Sequence, residues 1–122
     1  MIGYITLGSN KIAEAAGFYD DLLNEFGAKR VMESDTFVAW GRGDESPVLS
    51  VIKPDDGKTA TVGNGVMVAL RADSTELVDA LHAKALSLGA VNEGDPGLRA
   101  GGFYCAYFRD LDGNKLNFFY HP

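Results

Sequence analysis

The residues of this 122-residue chain best suited to chemistry are few: two histidines, His82 and His121, and one cysteine, Cys105. Imidazole and thiolate are the usual donors for transition metals and the usual activated nucleophiles, and each needs partners at defined spacing. A lone cysteine allows no CxxC pair, no internal disulfide and no Cys/His zinc cluster. His82 falls inside a helical pattern and reads as a partly exposed helix residue. His121 precedes the terminal Pro122, where a frayed end is expected. A metal site assembled from these two and a stray carboxylate is therefore disfavoured. The segment from Glu93 to Gly102 is rich in glycine and reads as a mobile loop whose one cation, Arg99, is a candidate clamp for a carboxylate or phosphate. Gly41-Arg42-Gly43 is no nucleotide loop, because no helix follows and the third glycine is missing.

The elements that would position these groups follow from hydrophobic period. Residues 2–7 read as a strand, and Ser9-Asn10 as a helix start. Apolar residues then recur at Ile12, Ala15, Ala16, Tyr19, Leu22, Leu23 and Phe26 until Gly27 stops the helix. Three short strands follow near 30–32, 37–41 and 48–52, closed by the turn-rich Lys53-Pro54-Asp55-Asp56-Gly57. The same order then recurs. Residues 65–70 read as a strand, Asp73-Ser74-Thr75-Glu76 as a capping box, and Leu77, Leu81, Ala85 and Leu88 as one helix face ended by Gly89. Strands near 90–93, 103–109 and 115–120 complete the second half, with Asp110-Leu111-Asp112-Gly113-Asn114 as a hairpin turn. The prediction is α+β: one domain over residues 1–122 made of two βαβββ modules, about 1–55 and 64–122.

The two halves superpose without a gap over 38–52 and 105–119. This alignment pairs Ala39 with Ala106, Trp40 with Tyr107, Arg42 with Arg109, Leu49 with Leu116 and Ser50 with Asn117, and is taken as an internal repeat.

Composition narrows the functions available. The hydrophobic fraction of 46% and charged fraction of 23% suit one globular domain with its own core. A net charge of -6 opposes the nucleic-acid backbone, so no nucleic-acid partner is expected. No basic leader is seen, and no segment approaches the roughly 20 apolar residues of a membrane span, so the chain is expected to be soluble, without membrane association, and cytoplasmic.

Four stretches carry a family resemblance: Tyr4-Ile5-Thr6-Leu7-Gly8, Phe18-Tyr19-Asp20-Asp21-Leu22-Leu23 before Gly27, Gly65-Val66-Met67-Val68-Ala69-Leu70, and above all Arg109-Asp110-Leu111-Asp112-Gly113-Asn114-Lys115-Leu116-Asn117. Over nearly its whole length the chain resembles the glyoxalase, bleomycin-resistance and extradiol-dioxygenase proteins, the vicinal-oxygen-chelate superfamily. The resemblance implies two βαβββ modules forming a curled, eight-stranded mixed sheet, an open cup with helices outside and ligand inside. It also implies a homodimer. The family's metal is held by four inward side chains, usually two His and two Glu or Gln. Matching by motif puts Tyr4, Ser50, Met67 and Asn117 at those positions.

None of these four suits the task. A transition metal wants imidazole or anionic oxygen at roughly 2.0–2.2 Å. Tyrosine would first have to lose a proton with a pKa of about 10, serine is a poor ligand, a thioether favours soft copper, and Asn offers a neutral carbonyl. Neither a metal nor another cofactor is expected. What the resemblance leaves is a surface of aromatic and neutral polar groups for a small organic ligand, with Tyr4, Trp40, Ser50, Met67, Arg99, Tyr104, Tyr107, Asn117 and Phe119 as candidate contacts.

The leading expectation is a metal-free binder of a small aromatic or amphipathic molecule. The alternative is a glyoxalase-like lyase or isomerase with Tyr4 as proton donor and Asn117 or Ser50 as oxyanion partner, Tyr4 and Asn117 being the candidate catalytic residues. That reading lacks an evident base, and metal-dependent dioxygenase chemistry lacks its ligands. A third possibility is a purely structural or dimerising module.

Overall fold

The computed structural model describes all of residues 1–122, which divide into two compact units, Met1–Thr61 and Val62–Pro122. The eight expected strands are present as two mixed sheets of four, and each unit carries one long helix.

In the first unit, β1 (Tyr4–Gly8) leads into α1 (Ile12–Leu23), followed by β2 (Lys29–Glu33), β3 (Phe37–Gly41) and β4 (Val48–Ile52), in the sheet order β1-β4-β3-β2. β1 runs parallel to β4, and the other neighbours are antiparallel. The helix buries Ala15, Ala16, Phe18, Tyr19, Leu22 and Leu23, which fall on one stripe at helical spacing. Its N-cap is Lys11 rather than Ser9 or Asn10, and Lys11 supplies no side-chain cap. Ser9 instead accepts from the Lys11 amide, and Gly27 ends the following short turn at φ 71.

The second unit repeats the plan with β5 (Val68–Arg71), α2 (Thr75–Ser87), β6 (Val91–Leu98), β7 (Tyr104–Arg109) and β8 (Lys115–Tyr120), ordered β5-β8-β7-β6. Here the N-cap is Ser74, whose hydroxyl accepts from the Leu77 amide at 3.1 Å. The residue three beyond the cap is thus Leu77, not Glu76, so the reciprocal half of the expected capping box is missing. α2 buries Val78, Leu81, His82 and Ala85.

Two sequence expectations are corrected. The stretch read as a mobile loop from Glu93 onward is largely β6, an edge strand paired to β7 through two irregularities, between Asn92 and Gly94 and between Gly94 and Gly97. Bulges let a glycine-rich segment keep its ladder while absorbing extra residues. The gapless repeat also fails by one residue. Trp40 lies opposite Leu49 in the first hairpin, whereas Phe108, not Tyr107, lies opposite Leu116 in the second. The loop is residues 42–47 in one unit and 110–114 in the other, so β3 and β7 are out of step by one position once β4 and β8 are matched. A one-residue slip in a strand reverses every side chain.

Candidate functional site

Each sheet has one face against its helix and one face turned away, here the distal face. In the first unit Trp40 marks the helix side. Its ring lies 5.5 Å from that of Tyr19, and its indole N–H donates to Asp20 Oδ1 at 2.8 Å. By register Ile5, Leu7, Val38, Leu49 and Val51 share that side, and Tyr4, Thr6, Ala39 and Ser50 stand on the distal face. In the second unit the Tyr104 hydroxyl donates to Asp79 of α2 at 2.6 Å, placing Tyr104, Ala106, Phe108, Leu116 and Phe118 on the helix side. Cys105, Tyr107, Arg109, Lys115, Asn117 and Phe119 are then distal, with Ala69 and Arg71 beside them on β5.

The nine residues expected to contact a ligand therefore separate. Trp40 and Tyr104 are committed to their helices and are withdrawn from the set. The reason for Trp40 is the register slip; for Tyr104 it is the phase that β7 takes opposite β8. Tyr4 and Ser50 share the distal face of the first unit, and Tyr107, Asn117 and Phe119 that of the second. Met67 precedes β5 by one residue and is exposed. Arg99 lies just beyond β6, with its guanidinium carbon 5.5 Å from the centre of the Tyr107 ring.

The polar groups of the two distal faces are differently placed. Ser50, fully buried, donates to the Ile5 carbonyl at 2.9 Å, and its oxygen lies 3.1 Å from Thr6 Oγ1. Its one proton goes to Ile5, so Thr6 is the donor in the second bond. Asn117 is 4% exposed, and its Oδ1 has no hydrogen-bond partner. Such an orphan acceptor costs about 1–3 kcal/mol. Its cross-strand neighbour Tyr107 has its hydroxyl beside both Asn117 and the Cys105 thiol. Burial, and then the Cys105 contact, push the Tyr107 phenol above its usual range, outweighing Asn117 and Arg99, so it stays protonated at neutral pH.

Cations gather around this ring. The Lys115 ammonium sits 5.4 Å from the Tyr107 centroid, on top of the Arg99 contact. Gly94, opposite Tyr107 in the ladder, makes room for both: a Cβ there would meet Tyr107 Cδ2 at 3.0 Å and an Arg99 nitrogen at 3.5 Å. Arg99 also donates to the Asp95 carbonyl at 2.7 Å. Arg109 is taken by Glu93 at 2.8 Å, a contact that lowers the Glu93 pKa.

Both histidines differ from expectation. His82 is buried, not partly exposed, with Nε2 3.1 Å from Asn92 Oδ1 and Nδ1 unpartnered. His121 is held rather than frayed: Nε2 lies 2.9 Å from the Gly101 carbonyl and its ring 4.4 Å from that of Phe103. Neither stands with other donors, and no group of three or more His, Cys, Asp or Glu side chains is arranged to hold a metal. At the family's four metal positions the structure offers a phenol, a hydroxyl already engaged, a thioether and a neutral amide, and such a donor set does not fit a divalent transition metal. A concavity of ≈ 400 Å³ in the first unit, lined by Ser9, Asn10, Lys53, Pro54, Gly57, Lys58 and Thr59, contains none of the expected contacts.

Sequence reasoning missed Arg71, Lys115 and Cys105. The signal was available for one: with Asn117 placed inward, the period of two puts Lys115 on the same face. Arg71 needed the parallel register of β5 on β8, and Cys105 the phase of β7.

Two units, each a four-stranded mixed sheet with a helix on one face and no set of chelating side chains on the other, define an α+β class. The chain belongs to the Glyoxalase/Bleomycin resistance protein/Dioxygenase superfamily, whose model matches residues 1–118. It is similar to the solved glyoxalase/bleomycin resistance protein of Albidiferax ferrireducens, at 31% identity and TM-score 0.91 over 100% of this chain and 99% of that one. A hypothetical protein from S. aureus matches at 26% identity and TM-score 0.78, covering 98% of this chain and 92% of its own. A lactoylglutathione lyase from Agrobacterium tumefaciens shares the fold at 22% identity and TM-score 0.72, over 98% and 92% of the two chains. No curated protein sequence gives a match. No helix is long and apolar enough to cross a membrane.

Proposed function

We propose that this protein binds a small aromatic or amphipathic molecule without a metal, on the distal face of the second unit. The observation that carries this reading is the buried, unpartnered Oδ1 of Asn117 set among Tyr107 and Phe119. Apolar and aromatic surface supplies burial energy, and a convergent polar atom fixes orientation. The lyase or isomerase alternative finds less support. Tyr4 is 70% exposed, the Tyr107 phenol is a weakened acid, and Glu93 and Asp95, the carboxylates to either side of Gly94 on β6, take hydrogen bonds from Arg109 and Asn92. A proton-abstracting base is thus not at hand. We take the protein to be cytoplasmic, in keeping with its lone unbridged cysteine, and a homodimer, a reading favoured by the edge positions of β1 and β5 in their sheets.

Native mass spectrometry of the freshly purified protein tests the proposal. The expected result is a dimer free of transition metal that gains the mass of an aromatic ligand such as aniline when this is added. Stoichiometric metal that is lost in Asn117→Ala overturns it.

A further inference from the structure

The distal face of the second unit has a charge that the chain as a whole does not predict. With a net charge of -6, acidic residues outnumber basic ones, yet Arg99 and Lys115 lie over the Tyr107 ring, Arg109 stands two residues from Tyr107 on β7, and Arg71 stands beside Phe119. Only Arg109 is in an ion pair, with Glu93. None of Arg71, Arg99 and Lys115 lies within ion-pair distance of a carboxylate; Lys115 acts on Glu93 only at longer range, and Arg109 already holds that group. Arg71 reaches no further than the His121 carbonyl, at 3.3 Å, while Arg99 and Lys115 both rest on one aromatic ring. Like charges so gathered repel each other, and an anion placed among them lowers that energy.

The register sets the spacing. Lys115, Asn117 and Phe119 alternate along β8, and Arg71 lies directly beside Phe119. At about 3.4 Å per residue, the backbone positions of Lys115 and Arg71 therefore stand about 7 Å to either side of Asn117 along the strand, with the Arg71 guanidinium extended toward the His121 carbonyl. That is close to the length of one substituted benzene ring. Asn117 Oδ1 accepts only, so the group that meets it must carry an N–H or O–H.

Resting on the binding role proposed above, we infer that the ligand is an aromatic anion, a carboxylate or phosphate at one end with a hydrogen-bond donor at the other: the anion meets Arg71 or Lys115, the ring lies on Phe119 or Tyr107, and the donor reaches Asn117 Oδ1. This assigns Arg71 and Lys115 as charge-selecting residues and Asn117 as the residue that reads the donor.

Calorimetric and NMR titration of the whole chain with 4-aminobenzoate, benzoate, phenyl phosphate and aniline tests it. The inference expects 4-aminobenzoate to bind more tightly than aniline, and about three- to tenfold more tightly than benzoate, the effect of one hydrogen bond, with amide shifts centred on residues 115–119 and on Arg71. Asn117→Leu should bring 4-aminobenzoate down to the benzoate affinity. Arg71→Gln and Lys115→Gln, both at solvent-accessible positions, should weaken the two carboxylates and leave aniline unchanged. Phenyl phosphate binding more tightly than benzoate, with the same dependence on Arg71 and Lys115, would identify phosphate as the anion. Aniline binding as tightly as the anions overturns the inference and leaves the binding role standing. If none of the four probes shifts residues 115–119, the binding role falls as well.

Discussion

Ser50 and Asn117 occupy matched positions in the two units, each in the middle of the strand that pairs with both its neighbours, and both are buried. In the first unit the polar atom is short and spends its hydrogen-bonding capacity on its own strand neighbours, the Ile5 carbonyl and Thr6. In the second it is an amide one bond longer whose oxygen is left without a partner. The surroundings diverge in the same sense. Thr6, Ala39, Val48 and Ile52 flank Ser50, whereas Ala69, Tyr107, Lys115 and Phe119 flank Asn117 at the matching positions. A repeated backbone has thus been given two jobs. One face is internally satisfied; on the other the Asn117 oxygen has no partner and Arg99 and Lys115 have no ion-pair partner, the capacity that the proposed ligand would use.

The comparison depends first on which side of each sheet the aromatics face. Trp40→Ala and Phe108→Ala should each destabilise the protein by about 3–5 kcal/mol in urea unfolding, because both rings fill the space between sheet and helix. A cost below about 1 kcal/mol for Trp40→Ala would return that residue to the distal face and break the register argument. The next test opposes the two polar positions. Ser50→Ala should cost about 0.5–1.5 kcal/mol, as it removes a bond that is made. Asn117→Leu should cost less than this in the ligand-free protein, since the loss of the amide contact to the Tyr107 hydroxyl is offset by removal of an acceptor that pairs with nothing. Equal losses at both sites would mean that Asn117 is satisfied after all, and the contrast between the units would vanish.

The smallest effect is electrostatic. Arg30 donates to both oxygens of Asp20, at 2.9 and 2.7 Å, and holds its carboxyl below the usual range, with Trp40 adding to the shift. A depressed folded-state pKa gives stability that is complete above the unfolded value of about 4 and is lost as pH falls through the folded value. The pair is 38% exposed on each side, so solvent screening limits it to less than about 1 kcal/mol. Asp20→Asn should therefore differ from the parent at pH 7 and converge with it in acid, as followed by thermal unfolding across pH. A difference that persists unchanged at low pH would assign the loss to packing around Trp40 rather than to charge.

Several features were legible in residue order alone. The helical stripe Ala15–Tyr19–Leu22, the inward Leu81 and Ala85 of α2, the Gly27 and Gly89 stops and the Asp110–Asn114 turn all rest on local periodicity and local backbone preference, and they lie where expected, whereas α2 buries Val78 in place of the expected Leu77 and Leu88. The turn shows why: Asp110 accepts the amides of Asp112 and Asn114, and Gly113 takes φ 87, interactions confined to five residues. β6 was less legible, because bulged pairing to β7 is a non-local bond that glycine-rich sequence does not announce.

The amino-acid sequence by itself determined the two βαβββ modules, the family, and the absence of chelating side chains at Tyr4, Ser50, Met67 and Asn117, since these depend on residue type and short-range pattern. Only the tertiary structure decided which side chains share a face. Facing depends on strand register, register on loop length, and one residue more between β3 and β4 than between β7 and β8 sends Trp40 to its helix and Tyr107 to Asn117. Likewise, residue type alone could say that Asn117 is neutral. That its oxygen is buried, unpartnered and set beside the Tyr107 ring on which Arg99 and Lys115 rest is a property of packed neighbours brought together from two strands and the end of a third.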